Sequence, residues 1–183
     1  MISSEENKAA LVDRDGVFNE LVDRGTEFFI GGVPIRWTAP FHRGELRLKP
    51  NVREALDIMR RKRYLPILVT NQPDVANGLI DPGEFERMMD VFREMPFADI
   101  FICNHRPGDG CACRKPAPGM LIAARDIYKI DMARSFMIGD METDIQAGRA
   151  VGTKTILVTN DLGAVTIADH RVLNIMEAAL LLP

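Results

Sequence analysis

No apolar run in the 183 residues approaches the roughly 18 that a membrane-spanning helix needs. The N-terminal stretch Met1-Ile2-Ser3-Ser4-Glu5-Glu6-Asn7-Lys8 lacks the basic and apolar regions of a signal peptide. Together these give the expectation of a cytoplasmic protein with no membrane partner. Positive charge is not in excess. Twenty-three Lys+Arg against 26 Asp+Glu leave −3, with a pI of about 5.7, whereas a dedicated nucleic-acid binder presents a basic face. The dense basic cluster, Arg60-Arg61-Lys62-Arg63, reads as the last turn of a helix, where cations complement the dipole. Cysteine is scarce. Cys103, Cys111 and Cys113 are odd in number and crowded together, which excludes a disulfide framework. Internal repeats and linkers are absent too. What remains is ordinary globular composition, 46% hydrophobic and 27% charged, at a length that suits one domain over residues 1–183. A monomer is expected.

Short apolar runs alternate with amphipathic stretches. Ala9–Val12, Pro66–Thr70, Ile100–Ile102, Ser135–Ile138 and Thr155–Val158 are too short for helices, and unbroken apolarity suits strands covered on both faces. His170–Leu173 is a weaker sixth candidate. Helices are signalled between them. Asn51 with Glu54 can form a capping box, and Asp81-Pro82 with Glu84 repeats the device. Met120–Lys129, Asp144–Val151 and Asn174–Leu182 are further helical segments. This rhythm predicts an α/β fold: three layers, a Rossmann-like parallel sheet with helices on both faces. Residues 18–49 break it. Gly25, Gly31, Gly32, Pro34, Pro40 and Gly44, with β-type residues between, read as a hairpin-like flap over the sheet's edge. Trp37, the single tryptophan, serves either to pack that flap or to stack on a ligand ring.

Val12-Asp13-Arg14-Asp15-Gly16 sets two carboxylates at the end of the first strand. Ligands of open α/β sheets bind at the carboxyl ends of strands. Carboxylates this close repel unless a cation lies between them, which favours Mg²⁺. A D-x-D pair alone is a weak signal, but further groups occur at corresponding places. Thr70 and Asn71 end the second strand, Lys115 precedes a helix, and Asp140 ends the fourth strand with Asp144 following. A second constellation uses every cysteine. Cys103-Asn104-His105 and Cys111-Ala112-Cys113 flank a turn-rich loop, and three thiolates with one imidazole complete a closed tetrahedral shell for structural Zn²⁺. That metal would tether the loop, 103–113, that leads into Arg114 and Lys115.

The ordered set Asp13, Thr70, Lys115, Asp140 resembles the haloacid dehalogenase (HAD) superfamily across most of the chain. The resemblance implies a HAD-like fold with a minimal cap and phosphatase chemistry. Asp13 would be the nucleophile and Asp15 the general acid and base. Lys115 and Thr70 would stabilise transferring charge. Asp13, the Asp15 carbonyl and Asp140 would hold Mg²⁺, with Asp144 behind them. Asp13–Asn19 (DRDGVFN), Val69–Gln72 (VTNQ) and the run CNHRPGDGCACRKPAPGM narrow it further. They look like the D-glycero-D-manno-heptose 1,7-bisphosphate 7-phosphatase family, to which the phosphatase part of histidinol-phosphate phosphatase is related. On that resemblance Arg114, Asn71 and Gln72 contact the substrate.

Three departures from the family fall where a leaving group would be read. Pro73-Asp74 replaces Ser-Gly, Met141 replaces a lysine, and residues 20–48 match poorly. With Met141 uncharged, a distal phosphate would need another cation, and Arg14, Arg114, Arg24, Arg36 and Arg43 are the candidates. The reading is a phosphatase acting on a small phosphorylated molecule, a heptose bisphosphate foremost. Histidinol phosphate and a nucleic-acid 3′-phosphate end are the alternatives within the chemistry, the latter disfavoured by the acidic balance. An idle zinc-bound interaction domain is the alternative outside it, and the complete catalytic set counts against that.

Overall fold

The computed structural model describes residues 6–161, 163 and 165–183; residues 1–5, on which part of the N-terminal reading rests, lie outside it. The chain begins with β1 (Lys8–Val12) and a run of two-residue strands, β2 (Val22–Asp23), β3 (Phe29–Ile30), β4 (Val33–Pro34) and β5 (Trp37–Thr38). It continues through α1 (Val52–Arg61), β6 (Tyr64–Asn71), α2 (Pro82–Arg93) and β7 (Asp99–Cys103). It ends with α3 (Gly119–Tyr128), β8 (Phe136–Gly139), α4 (Glu142–Ala150), β9 (Lys154–Val158), β10 (His170–Val172) and α5 (Ile175–Leu181). No helix is long and apolar enough to cross a membrane.

Six strands pair in parallel in the order β10-β9-β8-β1-β6-β7. Alternate residues of β1 face opposite layers. Ala10 and Val12 join a core with α1, α2 and α5, whereas Ala9 and Leu11 join another with α3 and α4. Both faces are covered, which is why the strands read as unbroken apolar runs. From β1 the chain builds outward through β6 and β7, then returns to the other side of β1 at β8. The switch point therefore lies between β1 and β8, and a doubly wound sheet binds its ligands outside such a point. Asp13 follows β1 and Asp140 follows β8, so the two acids flank it.

The flap forms two nested antiparallel pairs, β2 with β5 and β3 with β4. Two local expectations are corrected. Asn51 precedes α1 but adopts φ 60°, and its side chain makes no capping bond; Asn tolerates this left-handed backbone. Asp81 does cap α2, accepting from Gly83 N and Glu84 N. Glu84, however, reaches out to Arg43 N of the flap at 2.9 Å and to Arg87 rather than back to the cap. The basic cluster does supply the last turn of α1 through Arg60 and Arg61, but its third member turns away. Lys62 donates to the carbonyls of Leu180 (2.7 Å) and Leu182, so it caps α5 rather than its own helix.

Candidate active site

Asp13 sits where β1 ends, its backbone N–H donating to Ile138 O at 2.9 Å. Its carboxylate lies 2.8 Å from Lys115 Nζ, and Asp144 Oδ1 lies 2.6 Å from the same ammonium. Val69 O, at 2.8 Å, takes the third Lys115 donor. Three acceptors thus aim one buried cation at the end of β1. Burial alone would lower the Lys115 pKa, but Asp13 and Asp144 outweigh it and hold the ammonium charged.

Asp144 does two jobs. One oxygen meets Lys115 and the other accepts from Met141 N at 3.0 Å, which ties the start of α4 to the site. Asp140 presses against Gly16: a Cβ at Gly16, where φ is +75°, would lie 1.9 Å from Asp140 Oδ2. Only glycine fits there, in backbone and in space. Asp13, Asp140 and Asp144 bring carboxylate oxygens within 4.8 Å of one another. Burial, then mutual repulsion, pushes Asp140 up to about 8; burial, partly opposed by Lys115, raises Asp13 to about 6. A buried, oxygen-only, mutually repelling set fits a hard divalent cation, which relieves both penalties.

Asp15 is the most heavily hydrogen-bonded group present. Arg14 grips it through Nε and Nη2, both at 3.0 Å, Asn19 Nδ2 donates at 2.9 Å and Gln72 Nε2 at 2.6 Å. Two expectations change here. Arg14 and Gln72, read as substrate contacts, are 0% and 1% exposed and lie behind Asp15. Arg14 fills its pocket against Met89 and the Phe92 ring, because its stem and guanidinium face the core. Asn71 is likewise occupied. Its amide donates to Lys115 O and accepts from Lys115 N, at 3.1 and 3.0 Å, clamping that backbone to β6. Thr70 is buried with its hydroxyl oxygen accepting from Gln72, which leaves its proton to donate.

The cysteines and His105 also converge. Their sulfurs lie 3.1–3.7 Å apart, and His105 Nδ1 lies 3.5 Å from Cys103 Sγ and 3.2 Å from Cys113 Sγ. A tetrahedron with Zn–S bonds of about 2.3 Å has edges of about 3.8 Å, so the cluster is slightly tighter than a zinc-loaded set would be. Burial and the neighbouring thiols push Cys113 up to about 12, a crowding that a soft dication removes.

Asp13, Asp15, Asp140, Lys115, Arg114 and Met141 line one cavity of about 310 Å³ beneath the flap residues Trp37, Thr38 and Ala39. Of the candidate cations, Arg24 is paired with Glu45 and Arg36 with Asp23, and neither they nor Arg43 line it. Sequence reasoning missed Asn19, which braces Asp15, and Lys49, which donates to Gly16 O. Asn19 was in view inside the DRDGVFN run; nothing local marks Lys49.

The class follows from a parallel sheet whose central strand ends in a carboxylate, with lysine, threonine and acids gathered from the neighbouring strand ends: a phosphatase of the HAD superfamily. The HAD-hydrolase-like family model matches residues 112–174. A D-glycero-beta-D-manno-heptose-1,7-bisphosphate 7-phosphatase from Helicobacter pylori is 32% identical over 159 residues, 83% of each chain. The enzyme of that name from Vibrio cholerae is 35% identical over 82% of this chain and 81% of its own. Among solved structures, D,D-heptose 1,7-bisphosphate phosphatase from B. bronchiseptica, complexed with magnesium and phosphate, superposes with a TM-score of 0.74 at 27% identity. That alignment covers 94% of this chain and 96% of the other. The chain belongs to the heptose 1,7-bisphosphate 7-phosphatase family.

Proposed function

We propose that this single-domain chain hydrolyses a small sugar phosphate in the cytoplasm through an aspartyl-phosphate, with D-glycero-D-manno-heptose 1,7-bisphosphate as the substrate. The carrying observation is the Asp13 carboxylate, fixed at the switch point 2.8 Å from a Lys115 ammonium that Asp144 and Val69 O aim. Asp13, Asp140 and the Asp15 carbonyl would hold Mg²⁺, which when bound offsets charge on the phosphoryl oxygens. Cys103, His105, Cys111 and Cys113 would hold a structural Zn²⁺.

An Asp13 oxygen attacks phosphorus and the ester P–O bond breaks. Its electron pair leaves with the sugar oxygen, which takes a proton from Asp15. Lys115 and the Thr70 hydroxyl donate to the equatorial oxygens as charge spreads over them. Water then attacks phosphorus, Asp15 takes its proton, and the acyl-phosphate bond returns its electrons to Asp13. Gln72 stays bonded throughout. Its Nε2 donates to Asp15 and to the Thr70 hydroxyl oxygen, so one buried amide holds both groups in place. Phosphate release from the heptose bisphosphate with Mg²⁺ present tests the reading. Asp13→Asn should abolish it with the fold intact, and substantial turnover by that variant would overturn the nucleophile assignment.

A further inference from the structure

The strands turn their carboxyl ends to the catalytic cavity. Their amino ends form the opposite edge of the sheet, and a separate cavity of about 360 Å³ opens there. It is lined by Tyr64 at the start of β6, by Pro96 and Phe97 ahead of β7, and by Asn7 ahead of β1. Arg60 and Arg63 line it too, and no carboxylate does. It shares no residue with the catalytic cavity. The six residues of extended strand from Tyr64 to Thr70 set the two about 20 Å apart.

Cations at this edge have an ordinary explanation. The helices run back along the sheet and bring the negative ends of their dipoles here. Arg93, Arg125 and Arg149, in the last turns of α2, α3 and α4, fit that explanation, and each is paired with a carboxylate. Arg60 and Arg63 differ. Among the described residues they form no ion pair, not even with Asp57 one turn before Arg60, and donate no side-chain hydrogen bond. Arg63 also lies beyond the helix, with φ 64°. A left-handed residue in that place is ordinarily Gly or Asn. Here it is an arginine that lines a cavity. Other charges surround it. Lys8 Nζ lies 4.1 Å from the Tyr64 ring centre, and Lys129, whose carbonyl accepts from Asn7 N at 3.0 Å, ends α3 with φ 51°. Burial raises the Tyr64 pKa, and the nearby Arg134 charge opposes it.

We infer that the cavity at the amino edge of the sheet binds a small oligophosphate, with Arg60 and Arg63 on its phosphate oxygens and Pro96 and Phe97 against whatever the phosphates carry. A guanidinium fork matches phosphate geometry. Several positive charges with no carboxylate among them favour a multiply charged anion over a single carboxylate. The site is independent of the phosphatase reading, since none of its residues belongs to the catalytic set.

Calorimetry with tripolyphosphate, ATP and inorganic phosphate tests this. It is run without added Mg²⁺, when the acids of the catalytic cavity repel anions. Tripolyphosphate and ATP should both bind at least about 10-fold more tightly than inorganic phosphate. Arg60→Gln and Arg63→Asn should each weaken that binding by about 10-fold. ATP binding more tightly than tripolyphosphate would support a nucleoside on the Pro96 and Phe97 face; equal affinities would support the phosphate chain alone. Arg63→Asn also separates binding from folding. Asparagine accepts the left-handed backbone, so the melting temperature should hold or rise while affinity falls. A lower melting temperature with unchanged affinity would make Arg63 a helix-end residue only. Undiminished binding in both variants would place the anion elsewhere. Either result, or no preference over inorganic phosphate, overturns the inference.

Discussion

Arg14 shows how much a single buried charge can organise. A guanidinium with 0% exposure is tolerable only when paired and hydrogen-bonded, and Asp15 supplies both through a two-point grip. The pair fixes the carboxylate proposed to give and take a proton, and on that proposal Arg14 is a positioning residue that does not touch substrate. Arg14→Met keeps much of the volume against Met89 and Phe92 but leaves Asp15 uncompensated. It should cost about 3–5 kcal/mol in urea-induced unfolding. Arg14→Lys restores charge without the fork, so it should recover stability more than kcat. A kcat restored in full by lysine would show that charge alone, not orientation, matters. Gly16 is a second single-residue constraint. Gly16→Ala drives a methyl into Asp140, and Mg²⁺ affinity measured by calorimetry should fall with turnover.

At the scale of elements, Phe41 and Leu46 root the flap on the core, and ion pairs hold the hairpin beyond them. Arg24 holds both oxygens of Glu45, each at 2.7 Å, and the hydrogen bonds from Arg24 keep the Glu45 carboxyl below its ordinary value. A carboxylate depressed in the folded state stabilises above its unfolded pKa of about 4.5, and that contribution is lost as pH falls through the folded value. Asp23, depressed by its hydrogen bond from Arg36, behaves in the same sense. Acid should therefore loosen the flap before the sheet. Trp37 emission should move to the red between about pH 5 and 3 while far-ultraviolet circular dichroism holds. Glu45→Gln should shift that step, and an emission unchanged over the range would refute the ion-pair account. The flap also marks where the sequence stops being legible. The sheet strands were readable because burial on both faces demands unbroken apolar runs, and the catalytic acids because they directly follow such runs. β2 to β5 are two residues each, too short for periodicity, and their pairing comes from contacts that only the folded chain makes. Arg14 misled for a related reason: a charged residue between two acids reads as exposed, and only packing on Met89 and Phe92 shows otherwise.

In the whole molecule the sheet and its helices place most of the site directly, and one loop completes it. β6 delivers Thr70 and β1 delivers Asp13 as direct extensions of buried strands, but Lys115 arrives on a loop with no strand beneath it. That loop is fixed at one end by Cys103 at the close of β7, and at the other by Asn71 clamping the Lys115 backbone. Between them the cysteine–histidine cluster is its main internal tie, and Ala112 O accepts from Gly119 N at the start of α3. Losing zinc should therefore injure the site far more than the fold. In Cys111→Ser, a residue partly exposed and outside the strands, zinc content should fall from about one per chain. The melting temperature should drop by only a few degrees, since the cores on both faces of the sheet are untouched. Turnover should fall by at least about 10-fold, because a misplacement of Lys115 by about an ångström is enough to forfeit its contact with the transferring phosphoryl group. Added Mg²⁺ should not rescue it, since the proposed oxygen ligands directly follow β1 and β8 and do not depend on the loop. A variant that loses zinc yet keeps full turnover would show that Asn71, Asp144 and Val69 O position the lysine without the cluster, and would leave the cluster without a part in catalysis.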